Sequence, residues 1–320
     1  MAAHPANASE GKGARRAGSD TYLRVLATAG FPDYALLDSG DGRKLERFGG
    51  FTVQRPEPQA LWRPVLDPIQ WVRADATFKS GNADEDSEAG RWHKNSALPE
   101  TWPIGVHGIT MLCQLTSFRH LGIFPEQLPH WDWMLDWLRG VQGEPARVLN
   151  LFAYTGAASL LAARAGAEVT HVDASKKAIA WAKENQAASK LGDAPIRWIL
   201  DDARKFVARE GRRGKSYHLI LIDPPKFGRG PEGEVWDVFT HLAPLLRDCS
   251  ALLAPGRAAL VLTTYAIRAS ALATDGLARE CLAGRGGMFE SGELAVVEEA
   301  GGRLLPTSLF TRWTSDEAAP

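Results

Sequence analysis

The chain has few of the residue patterns that mark secreted, membrane and metal-binding proteins. It contains only three cysteines, at Cys113, Cys249 and Cys281, and their wide spacing matches neither a metal site nor a redox motif. No apolar run approaches the roughly 20 residues of a membrane helix, and Arg15 and Arg16 are not followed by the apolar segment of a signal peptide. These absences predict a cytoplasmic protein with reduced, buried thiols and no metal site.

A strong net charge is also lacking. The 320 residues carry a formal net charge of -1, with 45% hydrophobic and 23% charged residues. Such a chain can bury a sizeable core, and its length favours two domains over one. A nucleic acid partner would therefore have to be bound by a local basic patch, because the surface as a whole is not basic.

The chain lacks a glycine-rich phosphate loop where a nucleotide-binding fold would place one. Residues 147–151 form an apolar run typical of a buried strand, and a helical pattern starts directly after Gly156. A dinucleotide site needs several glycines so that backbone N–H groups can approach a pyrophosphate. Here Gly156 stands alone, after an aromatic and hydroxylic loop with Phe152, Tyr154 and Thr155. The loop predicts a ligand without phosphates and disfavours a dehydrogenase.

The next predicted strand supports a nucleoside ligand. It covers residues 168–173 and ends in Asp173, which is followed by Ala174 and by Ser175, the predicted N-cap of a helix. Asp173 lies about twenty positions after the glycine turn, the spacing at which a carboxylate meets ribose hydroxyls. A nucleoside without a pyrophosphate fits both this strand and the single glycine.

Two motifs carry a resemblance to a known family. The runs Asn150-Leu-Phe-Ala-Tyr-Thr-Gly156 and Asp223-Pro-Pro-Lys-Phe227 resemble the class I S-adenosylmethionine (SAM) dependent methyltransferases. The match is closest to the large-subunit ribosomal RNA methyltransferases, whose motifs are Asn-Leu-Phe-x-Tyr-Thr-Gly and Asp-Pro-Pro-x-Phe, and it covers roughly residues 122–264. The resemblance implies SAM as methyl donor and RNA as partner, with ribosomal RNA favoured.

The resemblance also implies which residues border the cofactor. Gly122, Phe124, Glu126 and Gln127 match a family segment that reads Gly-x-Phe-x-Asp-Gln-Arg, in which Leu128 replaces the Arg. The implied cofactor-binding residues are Phe124, Gln127, Asn150, Phe152, Tyr154, Thr155, Gly156, Asp173, Ala174, Ser175, Asn185, Asp201, Asp202 and Asp223.

Two of these acids are alternatives for one role. In the family, an acid after the third strand accepts a hydrogen bond from the adenine amino group. Asp202, which precedes Ala203, is the better match, and Asp201 is the alternative. Either residue would also serve simply as the cap of the next helix.

The second motif carries the implied chemistry, an in-line displacement at the sulfonium methyl. Pro224 and Pro225 remove two backbone donors and fix two φ angles, which gives a rigid turn beside the methyl group. Asp223 and the carbonyls near Pro224 would orient an acceptor nitrogen, and Phe227 offers a face for an extruded base. Three nearby basic residues are candidates for phosphate contacts or are ordinary loop charges: Lys226, Arg229 and Arg268.

Methylation of a ring carbon is less favoured than methylation of a nitrogen. A pyrimidine C5 becomes nucleophilic only after a thiolate adds to the adjacent carbon. In the cytosine-C5 branch of the resembled group, that Cys follows the strand that matches residues 260–264, where this chain has Thr264 and Tyr265. Cys249 lies in an apolar helical pattern and is predicted to belong to the core.

The predicted fold class is α/β, with a Rossmann-like class I methyltransferase sheet and a smaller β-rich N-terminal domain. The sheet is expected to be mostly parallel and to end in an antiparallel hairpin that turns at Gly301 and Gly302. A tryptophan-rich helix over residues 131–139 is expected to cover one face and to end at Gly140. The predicted divisions are a disordered tail (1–20), a β-rich accessory and substrate-recognition domain (21–128) and a SAM-binding methyltransferase domain (129–320).

The sequence therefore predicts a SAM-dependent methyltransferase that modifies a base of RNA, with methylation at nitrogen favoured. One alternative is transfer to a protein or small molecule that the β-rich domain recognises. Another is a non-catalytic RNA-binding module that keeps the fold, although the intact Asp223-Pro-Pro turn would then be superfluous.

Overall fold

A computed structural model describes residues 22–81, 90–265 and 267–315. The predicted tail at 1–20, and the acidic segment from 82 to 89 that the sequence predicts to be an exposed loop, lie outside the described residues.

The described residues alternate between strands and helices in the second half of the chain and are mainly strands in the first. The strands are β1 (Leu23–Thr28), β2 (Tyr34–Gly40), β3 (Arg43–Phe48), β4 (Phe51–Pro56), β5 (Ala76–Ser80), β6 (Gly90–Lys94), β7 (Thr101–Val106), β8 (Ile109–Gln114), β9 (Arg147–Leu151), β10 (Glu168–Asp173), β11 (Ile196–Leu200), β12 (Leu219–Ile222), β13 (Phe227–Arg229), β14 (Val235–Asp237), β15 (Ala259–Tyr265), β16 (Met288–Val297) and β17 (Leu304–Thr314). The helices are α1 (Pro68–Val72), α2 (Leu128–Arg139), α3 (Ala157–Arg164), α4 (Lys176–Ala188), α5 (Ala203–Arg212), α6 (Val238–Ala251) and α7 (Ala271–Cys281), with a short 3-10 helix (Pro125–Gln127) before α2. Within the described ranges, no helix combines the length and the apolar character needed to cross a membrane.

The central sheet has eight strands in the order β1-β16-β17-β15-β12-β9-β10-β11. The pairs among β9, β10, β11, β12 and β15 are parallel, and so is the pair of β1 with β16. Only β17 runs antiparallel to its neighbours β15 and β16 within this sheet. The prediction of an α/β fold with a mostly parallel sheet and an antiparallel terminal hairpin is confirmed.

Both faces of this sheet are buried. Along β15, Val261 belongs to one hydrophobic core and the alternating residues Leu260 and Leu262 belong to the other. Successive side chains of a strand point to opposite faces, so a doubly covered strand needs an unbroken apolar run. Helices α2 and α3 contribute to the first core, and α5 and α6 contribute to the second.

Helix α2 starts earlier than predicted. It begins at Leu128, three residues before the predicted start, and it ends at Gly140 as expected. Trp131 and Trp137 are buried in the first core, and the ring of Trp133 stacks on that of Trp137 at 6.5 Å between centroids. The tryptophans of this helix therefore serve core packing.

The N-terminal half is built from small, mainly antiparallel units, in which β4 and β5 form a parallel pair. A second sheet has the order β2-β3-β4-β5-β6, and β7 and β8 form a separate hairpin. A turn at Gly40-Asp-Gly42 joins β2 to β3, with Gly40 paired to Arg43. Strand β1 differs from the prediction, because it extends the central sheet beside β16 although its sequence lies in the proposed accessory region.

A buried ion pair links the five-stranded sheet to the segment that leads into α2. The Arg55 guanidinium donates to both carboxylate oxygens of Glu46, at 2.7 Å each, and its Nη1 donates to the Arg119 carbonyl at 3.1 Å. Both side chains are almost fully buried. The charge of each is therefore compensated mainly by the other.

We expect Glu46→Gln to destabilise the protein by about 3–5 kcal/mol, because it leaves the buried Arg55 guanidinium without its counter-charge. Asp136→Asn is the matched control, since Asp136 pairs with Arg139 on the exposed face of α2. Urea denaturation of both variants measures the difference. Equal, small changes in the two variants would show that the buried pair does not stabilise the fold.

Candidate functional site

A cavity of about 870 Å³ opens at the carboxyl ends of the parallel strands. Its lining includes residues that follow β9, β10, β11 and β12. Strand β9 lies between β10 and β12. The chain runs outward from β9 through β10 to β11 and then returns to β12 on the other side of β9, which makes this edge the topological switch point of the sheet. Ligands of open α/β sheets bind at such a point.

The loop after β9 has a constrained backbone. Phe152 and Tyr154 adopt positive φ angles of 56° and 49°, and Gly156 has a φ of 89° at the N-cap of α3. The Tyr154 N–H donates to Asp173 Oδ2 at 2.8 Å, and the Phe152 ring packs against Trp236 at 4.8 Å between centroids. Non-glycine residues in this region of φ are strained and persist where their surroundings hold them. The sequence predicted the turn at Gly156 but gave no sign of the two strained aromatic residues.

Asp173 lies between this loop and α4. Its Oδ1 accepts the Ser175 N–H at 2.8 Å, and Ser175 caps α4 as predicted by accepting from Ala178. Burial raises the pKa of Asp173, although the two backbone donors oppose that shift. A carboxylate has about four acceptor positions, so the Asp173 carboxylate retains capacity for the hydroxyls of a ribose. The residues therefore fit a nucleoside.

Asn185 differs from the prediction. Its side chain is fully buried and does not line the cavity. The amide accepts the Leu112 N–H at 2.8 Å and donates to the Thr155 carbonyl at 2.9 Å, while the Thr155 hydroxyl donates to the Gly122 carbonyl. Asn185 thus positions the loop after β9 without itself lining the cavity.

Asn150 lines the cavity and also supports the loop. Its Nδ2 donates to Ser159 Oγ at 3.0 Å, and that hydroxyl lies 3.0 Å from His171 Nδ1. Burial lowers the pKa of His171 to about 3, so the imidazole is neutral. A buried polar chain therefore fixes the end of β9 to α3 and β10.

The structure separates the roles of the two acids after β11. Asp202 caps α5, because its Oδ1 accepts the N–H groups of Arg204 and Lys205 at 3.0 Å each. The Asp201 carboxylate pairs with the Arg209 guanidinium. Both acids line the cavity, as do Ala174 and Ser175.

The opposite wall of the cavity carries the Asp223-Pro-Pro turn. Gln127 Nε2 donates to Asp223 Oδ2 at 3.0 Å, and the Pro225 carbonyl accepts from Trp236 Nε1 at 2.7 Å. Burial, with a smaller contribution from the Glu126 carboxylate, raises the pKa of Asp223 to about 7. The structure thus brings Gln127 and Asp223 together, as their joint assignment to one site requires.

The residues after the turn form an exposed two-stranded hairpin, β13 and β14. The Phe227 side chain is 60% exposed, and Lys226 Nζ lies 5.5 Å from the centre of its ring. Lys226, Phe227 and Arg229 line the cavity, whereas Arg268 does not. Three of the four predicted acceptor-side residues therefore share one rim.

The cysteine next to the site is structural. Cys249 is fully buried in the second core, and burial raises the pKa of its thiol. Tyr265 instead lines the cavity at the end of β15. Among the described residues, no group of three or more His, Cys, Asp or Glu side chains is arranged to hold a metal ion.

Sequence reasoning missed several residues that line the cavity and lie just before α2 or in its first turn. The Arg119 guanidinium donates to the Tyr265 hydroxyl, and the His120 ring lies 4.8 Å from that of Phe124, which in turn lies 5.6 Å from the Tyr154 ring. The only local signal for this wall is the density of basic and aromatic residues between β8 and α2. His130, on the first turns of α2, also lines the cavity.

Comparisons with known proteins identify similar proteins that are named as methyltransferases. Residues 132–235 match the family model described as Conserved hypothetical protein 95. The crystal structure of the SAM-dependent methyltransferase from Agrobacterium tumefaciens is 52% identical, with a TM-score of 0.86, and the match covers 91% of this chain and 93% of that one. The Ribosomal RNA large subunit methyltransferase K/L of Hahella chejuensis is 35% identical over 168 residues, which are 52% of this chain and 22% of that protein. Its namesake in Pseudomonas paraeruginosa is 30% identical over 253 residues, 77% of this chain and 33% of that protein. The chain therefore spans a third or less of the length of these curated relatives.

We expect Asp173→Ala to weaken SAM binding at least tenfold, because the variant loses a buried hydrogen-bonding carboxylate and frees the Tyr154 backbone. Isothermal titration calorimetry with SAM measures the loss. The control is Glu168→Ala, at the exposed start of the same strand. Equal affinities of the two variants would contradict the assignment of Asp173.

Proposed function

Because this chain belongs to the SAM-dependent methyltransferases, we propose that it transfers a methyl group from SAM to a base of RNA, with ribosomal RNA favoured. The observation that carries the proposal is the Asp223-Pro-Pro turn, held by Gln127 at a cavity rim beside the exposed Phe227 ring. The name of the curated relatives supports ribosomal RNA as the acceptor.

The residues after β9, β10 and β11 are assigned to SAM. Asp173 binds the ribose hydroxyls, Asp201 and Asp202 lie toward the adenine, and the loop from Phe152 to Gly156 encloses the remainder. The single glycine of this loop suits a donor that has no phosphate groups to cradle. When bound, SAM supplies an electrophilic methyl group on a positively charged sulfur.

Asp223 orients the acceptor and accepts its proton. Gln127 fixes the orientation of the carboxylate, and the backbone carbonyls near Pro224 offer further hydrogen-bond acceptors to an N–H group. A pKa of about 7 lets Asp223 accept a proton from an acceptor nitrogen and release it again near neutral pH. Nitrogen is favoured over pyrimidine C5, because Tyr265 lies where a nucleophilic thiol would be needed and Cys249 is buried in the core.

The rim of the cavity suits an extruded base. Phe227 offers an exposed aromatic face, and Lys226 and Arg229 lie where they can meet flanking phosphates. Because the formal net charge of the chain is only -1, RNA has to be bound by a local basic patch, and this rim provides one. A ribosomal RNA substrate supports the prediction of a cytoplasmic enzyme.

The β-rich region, residues 21–128, is assigned to substrate recognition. Its five-stranded sheet holds the segment that forms the acceptor-side wall, because Trp92 Nε1 donates to the Phe118 carbonyl at 3.1 Å and Arg55 binds the Arg119 carbonyl. Arg119 and His120 line the cavity. The region therefore contributes to the acceptor side, while residues 129–320 carry SAM and the Asp223-Pro-Pro turn.

The test is transfer of a labelled methyl group from SAM to total RNA from a strain that lacks the gene, with protein extract of the same strain as the parallel acceptor. RNA from the deletion strain is required because normal RNA is already modified. We expect label in RNA, and digestion to nucleosides then identifies the methylated atom. Label in protein alone would contradict the RNA assignment.

We expect Asp223→Ala to retain SAM binding and to lose turnover at least a hundredfold, because the variant can no longer orient or deprotonate the acceptor. Initial rates of methyl transfer, with SAM affinity measured on the same samples, separate the two effects. Asp193→Ala, at an exposed position, is the control. Normal turnover of the Asp223 variant would remove this residue from the mechanism.

The pH dependence of the rate should report Asp223. Because its pKa is raised to about 7, the ionised form, and with it the rate, increases as the pH rises through that value. In Glu126→Gln the neighbouring negative charge is absent, so the pKa of Asp223 falls and the midpoint of the profile moves to lower pH. Glu100→Gln, at an exposed position, is the control and should leave the midpoint unchanged. A midpoint that stays fixed in Glu126→Gln would be evidence against this coupling.

A further inference from the structure

The cavity extends beyond the part assigned to SAM. Strands β15 and β17 lie on the far side of β12 from β9, β10 and β11. We call this part of the cavity the acceptor arm; it is lined by His130, Trp131, Met134, Thr263, Thr307 and Ser308. The cavity volume of about 870 Å³ lies near the upper end of the range of about 300–1,000 Å³ for a single drug-sized ligand. There is room for a donor and an acceptor together.

His130 is the unexplained polar group of this arm. Its side chain is only 4% exposed, and neither ring nitrogen has a hydrogen-bond partner among the described residues. Burial, and then the positive charge of Arg312, lowers the pKa of His130 well below its usual value. The imidazole is therefore neutral and presents one donor and one acceptor. Buried polar groups are nearly always paired, so two unpaired ring nitrogens beside a cavity point to a missing partner.

His130 lies one helical turn from Gln127, the residue that contacts Asp223. Gln127, at the N-cap of the same helix, donates to Asp223 at 3.0 Å. Residues three apart share one helix face, with Cβ atoms about 5–6 Å from each other. Gln127, His130 and Asp223 line one cavity, which a planar heterocyclic base can enter with one edge at Asp223 and another toward His130.

The charges around the arm select a neutral group. Glu57, Glu126 and Glu293 line the same cavity, and Glu57 is paired with Lys44 at 3.1 Å. A phosphate beside these carboxyl groups and an uncharged imidazole would be unfavourable. The phosphates of a substrate therefore stay at the rim with Lys226 and Arg229, and the base enters the arm.

We propose that His130 is a specificity-determining residue that hydrogen-bonds the polar edge of the acceptor base opposite the atom methylated at Asp223. This inference rests on the proposed function, since it assigns the base to the same cavity. It adds a contact that selects the base, separate from the residues that hold SAM or take the proton.

The test compares His130→Phe, which keeps an aromatic ring against Phe310, with His130→Gln, which keeps hydrogen-bonding groups. Leu138→Met is the control for altered packing, because Leu138 is buried on α2 and does not line the cavity. Methyl transfer to RNA from the deletion strain gives kcat and KM, calorimetry gives the SAM affinity, and thermal unfolding gives Tm.

We expect His130→Phe to lower kcat/KM for RNA about tenfold, mainly through KM, with unchanged SAM affinity and a Tm that is not reduced. His130→Gln should recover part of the loss. A wild-type KM for His130→Phe would overturn the inference, and so would a parallel fall of SAM affinity and Tm, which marks a structural role. If the wild-type protein itself transfers no label to RNA, the proposed function fails first.

Discussion

The buried amide of Asn185 is the contact on which the shape of the site depends. It pairs with the Leu112 N–H and the Thr155 carbonyl, and Thr155 in turn binds the carbonyl of Gly122. Three distant parts of the chain, namely β8, the loop after β9 and the segment before α2, therefore meet at α4. A buried amide is costly to leave unpaired, so the three parts hold one another in place. The cofactor loop is consequently shaped by the N-terminal half of the chain as well as by its own strand.

Carboxyl groups dominate the electrostatics of the cavity. Burial raises the pKa of Asp173, of Asp223 and of Glu126, which means that each ionised form is destabilised in the absence of a cation. A sulfonium donor carries a positive charge, so its binding would favour the ionised carboxylates nearest to it. The same environment disfavours phosphates inside the cavity, and the basic side chains Lys226 and Arg229 lie at the rim. Under the proposed function, this charge pattern separates the place of the donor and the base from that of the RNA backbone.

Features that depend on neighbouring residues were predictable. The turn at Gly156, the N-cap at Ser175 and the hairpin between β16 and β17 follow from local sequence, and the structure contains all three. The strand β1 was not placed correctly, because its pairing with β16 joins segments more than 250 residues apart. Asn185 was assigned to the cofactor through the family resemblance, whereas its hydrogen-bond partners come from other elements of the chain. Local pattern gives no information on such pairings.

The sequence by itself determined the fold class and the kind of cofactor. An apolar strand, a single glycine and an acid at the end of the next strand can be recognised from short stretches of sequence, and they already disfavour a dinucleotide. The tertiary structure alone decided the raised pKa of Asp223, the orphaned imidazole of His130 and the wall that contains Arg119. Each of these depends on how deeply a side chain is buried and on which distant groups lie beside it. Desolvation and contact across the fold are properties of the packed chain, and no local pattern encodes them.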